Sequence, residues 1–237
     1  MRSVRMPART LAALTGAALA VVAASSTAPA APVEPTTTCV GALSGVHVGQ
    51  LEVPPGTRCE LELVYVRGDA RVGSGAVLSM RRSEIGGRTV VAGGALEASS
   101  ATFHDLVLDD AETAYLTRAT VRGSVSAAVG TFSLTSVTVT GDLDARGGAR
   151  APETGQVLDV DGATVQGSLT SDGLEFSVDD LTVHGDALVT DAGPAPRSSL
   201  AAGTVVSRDL VCTGNTGARG VQTAAVLVIG ERVGQCA

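Results

Sequence analysis

An apolar residue returns about every eighteen positions through most of this chain. Ile85, Phe103, Val121 and Val139 follow one another at that spacing; Val165 and Val183 resume it after one insertion, and Val66 stands nineteen before Ile85. Self-similarity at this period, carried by short strand-like pieces, constrains the fold to a solenoid of stacked coils.

Companions travel with each rung at fixed offsets. Four residues later come Ala70, Thr89, Val107, Val125, Leu143, Leu169 and Ala187, and two further on Val72, Val91, Asp109, Ala127, Ala145, Ser171 and Val189. Seven before the rungs stand Cys59, Leu78, Leu96, Ala114, Phe132, Leu158 and Phe176, followed two later by Leu61, Met80, Ala98, Leu116, Leu134, Val160 and Val178. Val64, Ser83, Ala101, Ala119, Val137, Ala163 and Leu181 precede the rungs by two. Each coil thus holds three inward pairs at i and i+2, the strand period. The predicted fold is all-β: a single-stranded parallel β-helix, triangular in section, with about ten coils of about eighteen residues. Right-handed winding is expected, because parallel crossovers favour that hand. Glycines two after the rung (Gly68, Gly87, Gly123, Gly141, Gly167, Gly185) are read as bends with unusual backbone angles. Aromatics make up only 2 % of the chain, in keeping with a narrow interior.

The first thirty residues read as a secretory signal peptide. Arg2, Arg5 and Arg9 precede the apolar stretch Leu11 to Ala24, and Ala28-Pro29-Ala30 offers a small-residue cleavage site. The apolar run is short for a membrane span. Residues 31–38, rich in Pro and Thr, read as a linker to a solenoid domain at 39–237. Removing the leader takes away three arginines and shifts the formal charge from −7 to −10. With no lysine and an acidic balance, nucleic acid and anionic membranes are poor partners.

Four cysteines remain. Cys39 and Cys59 are twenty apart and Cys212 and Cys236 twenty-four, each close to one coil. Neighbouring coils lie roughly 4.8 Å apart, within reach of a disulfide. Of the three pairings, only 39–59 with 212–236 joins neighbours, which predicts one staple in the first coil and one in the last. Zinc would require close ligand spacing of the Cys-x-x-Cys kind.

The units Val66 to Ala70, Val121 to Val125, Val139 to Leu143, Val165 to Leu169 and Val183 to Ala187 share a Val-x-Gly-Asp/Ser-Leu/Val/Ala pattern. In this the chain resembles small secreted β-helix proteins of actinobacteria. More distantly it is similar to bactofilins, bacterial scaffold proteins that polymerise through the ends of right-handed triangular β-helices. The resemblance covers about residues 39 to 236 and implies the same fold. The signal peptide and cysteine pairs set this chain apart from the cytoplasmic bactofilins.

Chemistry is harder to find. Secreted β-helices include polysaccharide lyases and hydrolases, but of a polygalacturonase motif set only Asp109-Asp110 and Asp179-Asp180 have counterparts here. A hexapeptide acyltransferase would use a catalytic histidine. His104 and His184 share a column four coils apart, roughly 19 Å at strand spacing, too far to share an ion; His47 lies in the first coil. Asp159 and Asp161 flank Val160 and point outward, a weak calcium contact at most. Thr102, Thr120, Thr138, Thr164 and Thr182 form an outward column of the kind seen on ice-binding β-helices. Their neighbours vary, however, and threonine is simply favourable on a β surface. No catalytic residue, metal ligand or cofactor is assigned.

Three lengthenings of the repeat, at Arg146 to Gln156, Thr190 to Ser199 and Thr213 to Gly220, follow the same strand pair and should leave one corner of the triangle. Arg146, Arg150, Glu153, Asp191, Arg197 and Arg219 would be the polar contacts of a binding surface there. The function expected from the sequence is that of a secreted, non-enzymatic structural or interaction protein. Its partners would be cell-wall polysaccharide, another extracellular protein or a second copy of itself. The alternative is a β-helix that binds or cleaves polysaccharide.

Overall fold

The computed structural model describes residues 35–149, 156–191, 199–200, 203–215, 223 and 225–236. These residues belong to one compact unit, Glu34–Ala237, whose strands pair in parallel with the coil before, the coil after, or both. No residue among them is helical.

The rung column is continuous. Val48, Val66, Ile85, Phe103, Val121, Val139, Val165, Val183, Val206 and Val228 are register partners in succession, one per coil over ten coils. All except the first and last are at most 1 % exposed. The third-face columns also stack as expected: Cys59, Leu78, Leu96, Ala114, Phe132, Leu158 and Phe176 are successive partners. Like residue sits on like because side chains that share a column share the same slice of a narrow interior, which Val, Leu, Ala and three phenylalanines fill. The solenoid starts earlier than the cysteines. Thr36–Thr38, inside the stretch read as a linker, forms a strand paired with Gln50–Glu52.

One coil departs from the expected register. The inward pair after Phe103 is Leu106 and Leu108, at most 1 % exposed, and not Val107 and Asp109. Thr89 and Val125 are the partners of Leu106. The chain takes three residues from Phe103 to Leu106, where neighbouring coils take four, and the register slips between Phe103 and Asp105. It is restored between Leu108 and Ala111, where Asp110 adopts φ 52°. Asp105 stands where most coils have a glycine two after the rung; the first coil, with Gln50 there, likewise takes three residues from Val48 to Leu51.

The role of that glycine explains the slip. None of the corner glycines two after a rung has positive φ; what they provide is room. A Cβ on Gly123 would run into Oδ1 of Asp105 and come within 2.9 Å of the His104 carbonyl oxygen of the coil below. At Gln50 and Asp105 the chain drops the crowded position, whereas at Arg208, near the C-terminal end, it keeps all four residues from Val206 to Leu210. Positive φ instead marks the residue three before each rung: Gly45, Leu63, Arg82, Ser100, Arg118, Ser136, Gly162, Asp180, Gly203 and Ala225. L-residues pay roughly 1–2 kcal/mol for that conformation. It is retained because the bend keeps the amide in the ladder, as where Arg118 N–H donates to the Thr135 carbonyl at 2.8 Å.

Thr89, Ser171 and Thr204 turn hydroxyls into the interior, each buried and without a hydrogen-bond partner. An unpaired buried hydroxyl costs about 1–3 kcal/mol. Thr89→Val should therefore raise the urea midpoint, corresponding to about 1 kcal/mol of added stability. Gly123→Ala should lower stability by about 2–3 kcal/mol, the range for overpacking a tight site. The same pair of melts would contradict this account of the corner if Gly123→Ala proved neutral.

Candidate functional site

The rung strand counts as the first face, the strand pair four and six residues after it (such as Leu143 and Ala145) as the second, and the pair seven and five before the next rung as the third. The corner that follows the second face gathers the polar side chains. Arg146, Asp172, Thr190 and Thr213 stack in one column over consecutive coils, so the three lengthenings of the repeat begin at equivalent points. Arg146 closes a fork with Asp144, Nε to Oδ1 at 3.1 Å and Nη2 to Oδ2 at 2.7 Å. The hydrogen bond and charge of Asp144 raise the guanidinium pKa above its ordinary value, with Asp172 adding to the effect. Thr190 Oγ1 donates to Asp172 Oδ1 at 2.6 Å. Asp191 follows at φ 50°, its N–H donating to the Thr213 carbonyl. Arg146 and Asp191 thus share the corner two coils apart. Arg150, Glu153, Arg197 and Arg219 lie outside the described residues.

A shallow groove of about 420 Å³ opens on the second face beside this corner. Arg88 and Arg146 contribute to its lining, with Val90, Val107 and Ser126 in the same stretch of surface. Val90, Val107 and Ser126 are register partners in adjacent coils. Val107 belongs to this surface through the register slip that turned Leu106 inward. The sequence pattern concealed this, because an unbroken period assigns Val107 to the core. Arg88 and Val90 carried a weaker signal as alternate residues of one strand, opposite in facing to Thr89 and Val91.

A second polar column runs along the corner after the rung. Asp69, Asp105, Ser124, Asp142, Ser168, Asp186 and Asp209 each accept, through a side-chain oxygen, the backbone N–H of the equivalent residue one coil on. Asp142 Oδ1, for example, takes Ser168 N–H at 2.8 Å. The Asp/Ser of the repeat unit is therefore a structural acceptor at a bend where strand pairing is interrupted. These carboxylates are engaged in holding coils together, and none of them converges with another on a common point.

The remaining candidates fall apart spatially. His104 contacts its neighbour Asp105, Nδ1 to Oδ2 at 3.1 Å, and His47 packs edge-on against Tyr65 with ring centroids 5.5 Å apart. No group of three His, Cys, Asp or Glu among the described residues is placed to hold a metal ion. The five threonines are register partners in succession, each half-buried.

The cysteines pair as expected. Cys39 joins Cys59 and Cys212 joins Cys236, with Cα separations of 5.6 and 5.3 Å. Each bond is two residues out of register: the strand partner of Cys59 is Gly41 and that of Cys212 is Gly234. Cys39 and Cys236 lie just outside these strands, beyond Gly41 at φ 97° and Gly234 at φ 73°, and all four sulfur-bearing side chains stay in the core, at most 2 % exposed. Each staple thereby ties down a corner of a terminal coil in addition to its strand.

No protein-family model, no curated protein and no solved structure matches this chain.

Two substitutions separate the roles of these features. Asp142→Ala should cost about 1–3 kcal/mol by leaving Ser168 N–H without its acceptor, read as a lowered melting temperature. Replacing Cys39 and Cys59 together by serine should cost about 3 kcal/mol, the loop-closure value for a segment of this length. An unchanged melt for the double variant would mean that the first coil is held by its strands alone.

Proposed function

We propose that this is an exported structural protein that acts by association and not by chemistry on a substrate. The observation that carries this reading is the N-terminal coil. Its strand edge has no partner among the described residues, and after Pro35, whose carbonyl accepts from Gln50 N–H, its sequence has no charge or proline as far as Leu51. Proteins that must stay apart blunt such edges with charged residues, proline or bulges. Two features support export: the leader-like first thirty residues, and two disulfides, which persist in oxidising compartments. The stacked, stapled coils suit a structural role, since every coil is tied to its neighbours on three faces.

A second reading draws on the groove beside Arg88 and Arg146. Its arginine side chains and partly apolar floor fit a sugar chain bearing carboxylates, with Asp109 in the same lining and Asp144 already forked to Arg146 setting which hydroxyls or carboxylates can sit there. The stretch from Gln156 to Asp191, with eight carboxylates and no arginine, would repel the same polymer and confine it to the groove.

Light scattering across a concentration series, run beside a depolymerisation assay on acidic polysaccharide, tests these readings. Association well above monomer mass with no cleavage is the expected result. Cleavage of the polysaccharide that is lost on Arg88→Ala, by a protein that stays monomeric, would replace the structural reading with the enzymatic one.

A further inference from the structure

The two ends of the solenoid are built differently. At the N-terminal end Thr36–Thr38, Gly41–Ser44 and His47–Val48 each pair on one side only, among the described residues. Leu43, Val46 and Val48 take the places that Leu61, Val64 and Val66 occupy one coil further on. The latter three are at most 2 % exposed, whereas Val46 is 39 % exposed and Leu43 and Val48 are only partly buried. Val40 and Leu63 add exposed apolar surface alongside. The result is an uncharged apolar mouth rimmed by unpaired strand edges.

The C-terminal end carries a charge over its mouth. Arg232 is the register partner of Leu210 and so takes an inward position. Its guanidinium donates to the Val226 carbonyl, which places the side chain across the bore from the second face to the corner before the first. Glu231 stands next to it in the chain. The apolar residues exposed at this end are Leu227 and Ile229, which flank the last rung, and Val233, which neighbours Arg232 in the last strand and so faces away from the bore.

We infer that the N-terminal mouth is covered by a second copy of this chain, giving a closed two-fold pair and not an open filament. A closed pair presupposes a protein that acts by association, as proposed above. Two copies that face each other wind in opposite senses seen from one side, so their edge strands meet antiparallel and can exchange backbone hydrogen bonds. Such a contact is isologous and stops at two. Head-to-tail stacking would instead press Arg232 and Glu231 against Leu43, Val46 and Val48, taking charge out of water with no partner on the apolar side. The uncharged edge matches its own copy and mismatches the opposite end.

The full chain, expressed with export and kept oxidised, should sediment at twice its own mass. Val46→Glu should weaken the pair at least tenfold, and so should Ala42→Lys, which charges the exposed edge without touching the core. Ala42→Lys keeps its melting temperature and so preserves the test if Val46→Glu fails to fold. Ile229→Glu, at the other end, should leave the mass unchanged. Open-ended growth with concentration, or a pair broken by Ile229→Glu, would overturn the closed pair while leaving association intact. A monomer at every concentration would also overturn it, and intact-mass measurement would then show whether the segment before Pro35 is retained to cover the mouth. The structural reading itself fails on a different signal, the polysaccharide cleavage described above.

Discussion

Everything in this structure depends on backbone hydrogen bonding between successive coils. Strands of neighbouring coils must sit a fixed distance apart, and once they do, each side chain is stacked on its counterpart one turn away. The interior is then a set of columns, each with its own width, and composition follows from that geometry. Small and branched residues fill the bore. A side chain that widens a column pushes on the coils above and below it.

The same requirement decides what happens where strands stop. At bends, backbone amides lose their strand partners, and the chain substitutes for them in two ways. Before each rung a left-handed residue turns its amide back into the ladder. After seven of the rungs an Asp or Ser side chain reaches one coil on and accepts the amide there. Glycine serves two ends: at the corner after the rung it gives room where two coils approach too closely for a Cβ, and elsewhere, as at Gly45 and Gly162, it takes the left-handed conformation. Buried polar atoms are expensive, and a solenoid has three bends in every coil. The corner chemistry is therefore as much a part of its stability as the core.

This division also explains what could be read from the sequence. The rung and third-face columns were legible because stacking repeats the same demand at the same spacing, and the cysteine pairing followed from the period. The register of Leu106 was not legible: a residue lost before it and one regained at Asp110 cancel in the count, so the period looks unbroken. The left-handed column escaped notice because Leu63, Arg82 and Arg118 carry no turn signature, their conformation being imposed by coils on either side. Of the candidate corner, the common origin of the insertions was readable from their offsets. The groove was not, since Val107 becomes surface only through the slip. The difference between the two ends hinges on where a single side chain, that of Arg232, lies, which no periodic pattern announces.

The off-register disulfides have a kinetic meaning. Paired residues in this fold lie 14 to 26 positions apart, from Thr36 with Gln50 to Val139 with Val165, so a coil is supported by its immediate neighbours and nothing more distant. Opening of such an array starts where a coil has only one neighbour and proceeds inward, like a zip. The two covalent bonds sit at the only places where that process can begin at low cost, and each holds a corner as well as a strand. A protease in the surrounding medium acts on chain that has come loose. Against it, two bonds at the ends, each tying a terminal coil to the next, guard six coils between them that have no covalent protection of their own.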